Sequence, residues 1–90
     1  MPYIKKEMRK IFDDEIDALI SKLSEQDENK IDGCLNYIIT KIINAVYAKE
    51  PNYFKLNRAI GVLEAVKQEF YRRRIAPYED EKIKENGDVK

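Results

Sequence analysis

The sequence predicts an all-α protein, a small three-helix up-down bundle with a short C-terminal helix after Pro77. Three observations support this fold class. Apolar residues recur at steps of three and four along three long segments, which is the period of a helix face. Polar connections of about five residues separate the segments, a length typical of antiparallel neighbours. No repeat or linker divides the chain, so residues 1–90 are expected to form one helical domain.

The first helix is predicted over about residues 5–23, after a lead-in of residues 1–4. Its apolar residues share one helical face and are Met8, Phe12, Ile16, Leu19, Ile20 and Leu23. Asp13 or Asp14 could instead cap a new helix after a break at Phe12, and this alternative gives two shorter helices.

The second helix is predicted over about residues 30–49. A polar surface loop at residues 24–29 precedes it, and Asp27 or Asn29 would cap its start. Its apolar residues are Ile31, Leu35, Ile38, Ile39, Ile42, Ile43 and Val46. Many of these are β-branched and would favour a strand in isolation. Strict alternation is absent, however, and the steps of three and four persist, so a helix is favoured.

The third helix is predicted over about residues 53–75. Pro51 disfavours a helical conformation at Glu50, and Asn52 is suited to capping the helix that follows. The core face of this helix carries Leu56, Ala59, Ile60, Leu63, Val66 and Phe70.

The last helix is predicted over about residues 77–85. Pro77 is disfavoured inside a helix, so we expect a kink or a restart at that point. Gly87 would end the helix, since glycine tolerates the left-handed conformation. Residues 86–90 are expected to be a loose tail.

Composition narrows the classes of function. Lysine plus arginine and aspartate plus glutamate both number 17, so no overall basic field directs the chain to nucleic acid or to a membrane. The single Cys34 and the absence of histidine exclude an internal disulfide, the usual zinc sites and histidine-based triads within one chain. No apolar run approaches the length of a membrane span. We expect a cytoplasmic protein without cofactor or metal.

Three consecutive arginines are the first candidate site, at residues 72–74. Guanidinium groups bind phosphate or carboxylate in bidentate fashion, so Arg72, Arg73 and Arg74 could contact a phosphorylated ligand or a nucleic-acid backbone. The favoured interpretation is structural. In it, the arginines pair with the acids Glu79, Asp80 and Glu81 and hold the helix across Pro77.

A polar stripe on the third helix is the second candidate. Asn57, Glu64 and Tyr71 are spaced to share one side with Gln68, and partial burial of Glu64 would raise its pKa and suit proton transfer. A boundary carboxylate bonded to a polar neighbour is the favoured alternative. Acids at helical spacing also resemble the magnesium ligands of all-helical nucleoside triphosphate pyrophosphatases, but Glu64 and Glu69 are five residues apart and fit that pattern poorly.

The remaining polar residues are interpreted as structural. Asn36, beside Tyr37 in an apolar helix, could fix the register of a bundle by bonding a neighbouring helix. Tyr78, Glu79 and Asp80 are assigned to the structure around Pro77.

Several blocks of sequence resemble a family of small uncharacterised all-helical proteins of prokaryotes and their phages. The blocks are MPYI at the start, LNYIIT from Leu35, NRAIGVLE from Asn57, EFYRR from Glu69, APYED from Ala76 and NGDV from Asn86. The resemblance implies no established activity. It places Asn36, Tyr37, Asn57, Glu64, Tyr71, Arg72, Arg73, Tyr78, Glu79 and Asp80 in the family's pattern. Lys90 departs from it, where an aromatic residue is expected.

A non-enzymatic protein-interaction or self-associating module is the predicted function, with a homodimer as the expected form. Val62, Tyr71 and Ile75 lie outside the core face of the third helix, and such uncovered apolar surface often marks protein contacts. The alternative is a binder of a phosphorylated ligand, nucleotide or nucleic acid through Arg72–Arg74. A magnesium-dependent or acid/base enzyme centred on Glu64 is the third hypothesis.

Overall fold

The steps of three and four in the apolar pattern produce helices throughout. The computed structural model describes residues 2–90, and within that range the chain contains helices and no strand. The elements are α1 (Lys6–Ser24), a 3₁₀ turn (Glu28–Lys30), α2 (Ile31–Tyr47), α3 (Tyr53–Phe70), a π-helix (Tyr71–Ile75) and α4 (Ala76–Asn86). The predicted all-α class is confirmed. Met1, the first residue of the predicted lead-in, lies outside the described residues.

The first helix, α1, is uninterrupted, so the alternative of a break at Phe12 is wrong. Its start is held by the side chain of Arg9, whose Nε donates to the carbonyl of Ile4 at 2.8 Å. Its end is held by Ser24, whose hydroxyl donates to the carbonyl of Ser21 at 2.8 Å. Both bonds give a hydrogen-bond partner within the protein to a backbone carbonyl that would otherwise bond only to water.

The predicted loop between α1 and α2 is partly helical. Lys30 donates its backbone N–H to the carbonyl of Asp27 at 2.9 Å, which closes the 3₁₀ turn. Asp27 occupies the capping position of that turn but makes no capping bond with its side chain. Backbone geometry therefore joins α1 to α2 without the side-chain cap that the sequence suggested.

The connection between α2 and α3 follows the predicted chemistry more closely. The second helix ends at Tyr47, and Glu50 then adopts the left-handed conformation, with φ of 53°. Pro51, which follows Glu50, disfavours the right-handed helical alternative there. The side chain of Asn52 accepts a bond from the backbone N–H of Lys55 at 2.9 Å, which confirms the predicted cap.

A π-helix lies where a kink or a restart was expected: α3 ends at Phe70, and α4 begins at Ala76 with Pro77 in its first turn. Because Pro77 has no N–H and its ring conflicts with the carbonyl four residues earlier, regular α-helix is unfavourable there. The chain responds by widening the preceding turn, and Ala76 donates its N–H to the carbonyl of Tyr71, five residues back. Residues 53–86 thus form one continuous helical run about 50 Å long. Gly87, with φ of 88°, ends it.

The helices are packed openly. The second helix, α2, approaches both α1 and α3, whereas no Cα atom of α1 lies within 8 Å of a Cα atom of α3 among the described residues. The predicted closed up-down bundle is therefore not formed by one chain. Ala59 is the only buried residue of the described chain, at 6% exposure.

The radius of gyration and the accessible surface are both larger than those of a compact domain of this length. The Cα radius of gyration is 17.0 Å, against about 12 Å for a compact domain of this length. The accessible surface is 8448 Å², whereas a compact protein of 10.6 kDa exposes about 5,500 Å². A large part of the apolar surface that a folded protein buries is left in water.

Replacing Pro77 with alanine should stabilise the chain. The Pro77→Ala variant regains a backbone donor and loses the ring, so we expect regular α-helix and a free energy of unfolding higher by about 1–3 kcal/mol. Urea denaturation followed by circular dichroism measures this. Pro51→Ala is the matched control, since it loosens a turn and should be destabilising by up to about 1 kcal/mol. Equal effects of the two substitutions would contradict the account of the π-helix.

Candidate functional site

Polar side chains gather where the lead-in meets the end of α3. Arg72 donates through Nη2 to both oxygens of Glu69, at 3.1 Å and 3.2 Å. The hydroxyl of Tyr3 also donates to Glu69, and Nη2 of Arg72 lies 3.4 Å from that hydroxyl. We call these three residues, Tyr3, Glu69 and Arg72, the tether cluster. They join the start of the described chain to a helix more than sixty residues later.

Each charge in the tether cluster is stabilised by its neighbours. The bond from Tyr3, followed by the Arg72 ion pair, lowers the pKa of Glu69 below its usual value, although partial burial opposes this. Glu69 in turn raises the pKa of Arg72. The cluster is therefore charged at neutral pH. Sequence reasoning missed Tyr3 and Glu69 in this role, since only the Glu69–Arg72 spacing of three was visible in the sequence.

The predicted pairing of the arginine run with the acids beyond Pro77 is wrong. Arg72 pairs with Glu69 on the preceding turn instead. Arg73 and Arg74 make no side-chain hydrogen bond or ion pair among residues 2–90. Because the helix continues through Pro77 without folding back, the acids lie further along the same rod rather than opposite the arginines.

The acids beyond Pro77 have other partners. Glu79 accepts a bond from the hydroxyl of Tyr71 at 2.8 Å, and Glu81 pairs with Lys84 at 3.2 Å. Glu79 raises the pKa of Tyr71 through this hydrogen bond and its negative charge. The negative charge of Asp80 adds to the effect, because it disfavours the ionised tyrosine. Tyr71 and Glu79 are eight residues apart, but the wider π turn aligns them as residues seven apart align in a regular helix. Tyr78, between them in number, lies under Nζ of Lys82 at 5.4 Å.

The polar stripe on α3 does not converge on a ligand-sized site. Glu64 is 52% exposed at its side chain and pairs with Lys67 at 3.3 Å. The bond from Gln68 and the charge of Lys67 lower its pKa, so the expected burial and raised pKa are wrong. Asn57 makes no side-chain hydrogen bond within the described chain, whereas Glu64 bonds to Gln68 and Tyr71 bonds to Glu79.

The predicted structural residues of α2 bond within their own helix. Asn36 accepts from the hydroxyl of Thr40 at 3.0 Å rather than from another helix. Tyr37 holds Nζ of Lys41 over its ring at 5.6 Å. The half-buried Cys34 lines a groove of about 450 Å³ between α1 and α2. The cross-helix bond expected of Asn36 is therefore not made by the single chain.

Exposed apolar side chains are the most extensive feature of the surface. Four residues of α2, which we call the α2 stripe, are between 41% and 62% exposed: Leu35, Ile39, Ile42 and Val46. Apolar residues of α1 and α3 are similarly exposed, among them Met8, Phe12, Ile16 and Ile20 on α1 and Leu56, Ile60, Val66 and Phe70 on α3. Between Gly33 and Ala48 the only charged residue is Lys41. A helix this apolar belongs inside a core.

Two further properties of the described residues bear on the type of site. No three side chains of the kinds that bind metals come together among residues 2–90. No helix in that part of the chain has the length and apolar character needed to span a bilayer.

A model of a protein family, Domain of unknown function (DUF6899), matches residues 1–89. The chain belongs to the DUF6899 family. Every helix described above, together with the lead-in, lies within the DUF6899 domain. Comparison with curated proteins gave no match, and comparison with solved structures gave none either. The predicted membership of an uncharacterised family is confirmed, whereas its specific motifs and its range of organisms stay predictions.

Removing the hydroxyl of Tyr3 should change the titration of Glu69. In Tyr3→Phe the largest cause of the lowered pKa is lost, so the pKa of Glu69 should rise towards its ordinary value of 4.5. Carbon-detected NMR titration of the Glu69 carboxyl measures this. Tyr78→Phe is the matched control, because the Tyr78 hydroxyl makes no hydrogen bond in the described chain, and it should leave Glu69 unchanged.

The Tyr3→Phe variant should also change how the free energy of unfolding depends on pH under acidic conditions. A carboxyl with a lowered folded-state pKa stabilises the fold above its ordinary pKa, and this contribution is lost as the pH falls through the folded-state value. The free energy of unfolding of Tyr3→Phe should therefore fall less than that of the unaltered chain as the pH decreases below about 4.5. An unaltered Glu69 pKa together with an unaltered acid transition would contradict the tether cluster.

Proposed function

We propose that this DUF6899 chain is a non-enzymatic protein-interaction module that self-associates or binds another protein through the apolar faces of its helices. The observation that carries the proposal is the surface of 8448 Å² in a chain with one buried residue among those described. Many large apolar side chains of the three long helices are exposed, and exposed apolar surface that forms a patch often marks an interface. A cytoplasmic location is part of the proposal, and the lone thiol of Cys34 agrees with a reducing compartment.

The energy available from covering this surface is large. The α2 stripe is about half exposed, and complete burial of its four side chains would contribute on the order of 3–6 kcal/mol. A small domain is stable by only about 5–15 kcal/mol in total. Covering the α2 stripe therefore supplies an amount close to the lower end of that range, and binding of a partner that does so would be coupled to folding.

The predicted up-down bundle belongs to this proposal. In the described part of one chain α2 has α1 on one side and α3 on another, and the Cα atoms of the two outer helices stay more than 8 Å apart. A second polypeptide that adds helices against α2 would complete the bundle with ordinary helix–helix packing. The arrangement expected from the sequence would then form in the complex.

Sedimentation velocity and small-angle X-ray scattering on the purified chain test the proposal. We expect a particle heavier than the 10.6 kDa chain. A monomer that binds a hydrophobic dye and unfolds without cooperativity also agrees, and it indicates a partner of different sequence. A cooperative monomer with a radius of gyration of about 12 Å would overturn the proposal, since such a particle has buried its own apolar faces.

Anion binding through Arg73 and Arg74 is a second candidate function. It is supported by the lack of an acidic partner for either guanidinium within the described residues and by their place in a π-helix, a feature frequent at functional sites. Such binding would contact phosphate groups of a nucleotide or nucleic acid.

A salt series tests this second candidate. Binding of a single-stranded oligonucleotide should weaken as salt increases, and Arg73→Ala with Arg74→Ala should weaken it further at low salt. Arg72→Ala is an informative control, because Arg72 is already engaged by Glu69 and should matter less. No binding at low salt, or equal binding by the double variant, would exclude the arginine site.

A further inference from the structure

We infer that the α2 stripe is covered by the α2 stripe of a second copy of this chain, with the two helices antiparallel about a two-fold axis. This inference rests on the proposed function and names the partner. It is carried by the placement of the stripe, by the symmetry of its spacing and by the charges at its two ends.

The stripe lies between the side of α2 that faces α1 and the side that faces α3, and its residues keep 41% to 62% exposure. Half-buried Cys34 and Ile38 mark the side facing α1, where they line a groove with Leu19 and Leu23. Half-buried Ile43 marks the side facing α3, where Ile39, at the edge of the stripe, lines a groove with Leu63. At about 100° per residue, the four stripe residues fall within an arc of about 60° that lies between these two sides. The stripe is therefore open to an approaching helix.

The spacing of the stripe is the same read in either direction. Its residues, at positions 35, 39, 42 and 46, are separated by steps of four, three and four. Their midpoint falls between Thr40 and Lys41. In an antiparallel pair centred on this midpoint, Ile39 lies against Ile42 of the second copy and Leu35 lies against Val46 of the second copy. This is the seam of an antiparallel coiled coil, in which β-branched and leucine side chains interlock.

Charges at the ends of the stripe favour this direction. Asp32 and Lys49 are equally distant from the midpoint, so the antiparallel pair sets Asp32 beside Lys49 of the second copy at both ends. A parallel pair in register would instead set Asp32 beside Asp32. Within one chain the two residues are separated by about 25 Å of helix and turn, and neither makes an ion pair in the described chain.

The exposed area is sufficient for a stable dimer. The chain exposes about 3,000 Å² more than a compact protein of its mass, whereas a standard interface needs only about 800 Å² from each partner. Apolar faces of α1 and α3 border α2, so the contact can extend beyond the stripe. An area of this size is typical of obligate dimers, in which folding and assembly are one process.

A charge-reversal cycle tests the antiparallel direction. At low salt, Asp32→Lys or Lys49→Asp alone should weaken dimerisation roughly threefold to tenfold, as expected for two exposed ion pairs per dimer. The double variant, with both charges exchanged, should recover to within about twofold. Sedimentation equilibrium gives the dissociation constants, and added salt should shrink every difference. Asp32→Asn separates the two directions, because it removes two ion pairs from an antiparallel dimer but removes a repulsion from a parallel one. Stronger dimerisation of Asp32→Asn would overturn the antiparallel arrangement in favour of the parallel one.

A substitution in the stripe tests the surface itself. Ile39→Glu should weaken dimerisation by roughly a hundredfold or more, because a carboxylate would be buried against Ile42 of the second copy. Asn44→Glu is the control, since it places the same charge on the opposite side of α2 and should change the constant by less than about twofold.

The outcomes separate this inference from the proposed function. An intact dimer in Ile39→Glu, with no coupling between Asp32 and Lys49, would overturn the α2 pairing while leaving an interaction module that uses α1 or α3. A compact, cooperative monomer would overturn both. Should Ile39→Glu fail to fold, the charge-reversal cycle still decides, because Asp32 and Lys49 are exposed in the single chain.

Discussion

A helix with apolar side chains on three sides requires neighbours on three sides, and this chain supplies α2 with two. The first side is covered by α1 and the second by α3, while the α2 stripe faces water. Burial of apolar surface is the main favourable contribution to folding, so in the single chain α2 lacks the part of this contribution that the stripe would supply. The open shape, the large surface and the scarcity of buried residues all follow from that shortage.

Polar contacts cannot compensate for the missing core. Each ion pair of the described chain joins residues three apart along a helical run, and all but the half-buried Glu69 are exposed to solvent, where such pairs contribute little to stability. The tether cluster differs from these local ion pairs. Its bonds from Tyr3 to Glu69 and from Arg72 to Tyr3 are the only side-chain hydrogen bonds that join distant parts of the described chain. It fixes where the lead-in meets α3 and hence where α1 departs. Hydrogen bonding thus positions the helices, and apolar contact must hold them.

Local features were predictable from the sequence, and distant ones were not. The helix segments, the Asn52 cap and the end at Gly87 depend on interactions within a few residues, which the apolar period and capping preferences reveal. The response to Pro77 could have been either a kink or a π turn, since both relieve the same clash. The bond from Tyr3 to Glu69 and the gap between α1 and α3 depend on tertiary placement that no periodicity encodes. Glu64 was misjudged because apolar sequence neighbours lie on other faces of a helix.

The π turn sets the direction in which the last part of the chain faces. One extra residue in a helical turn rotates everything beyond it by about 100° around the helix axis. The acidic and tyrosine side chains of α4 are therefore displayed on a different azimuth from the one that a regular helix would give them, relative to the apolar face of α3. A molecule bound to α3 would therefore find the charged side chains of α4 rotated by about 100° around the helix axis. A single proline thus determines which side chains of α4 lie beside the apolar face of α3.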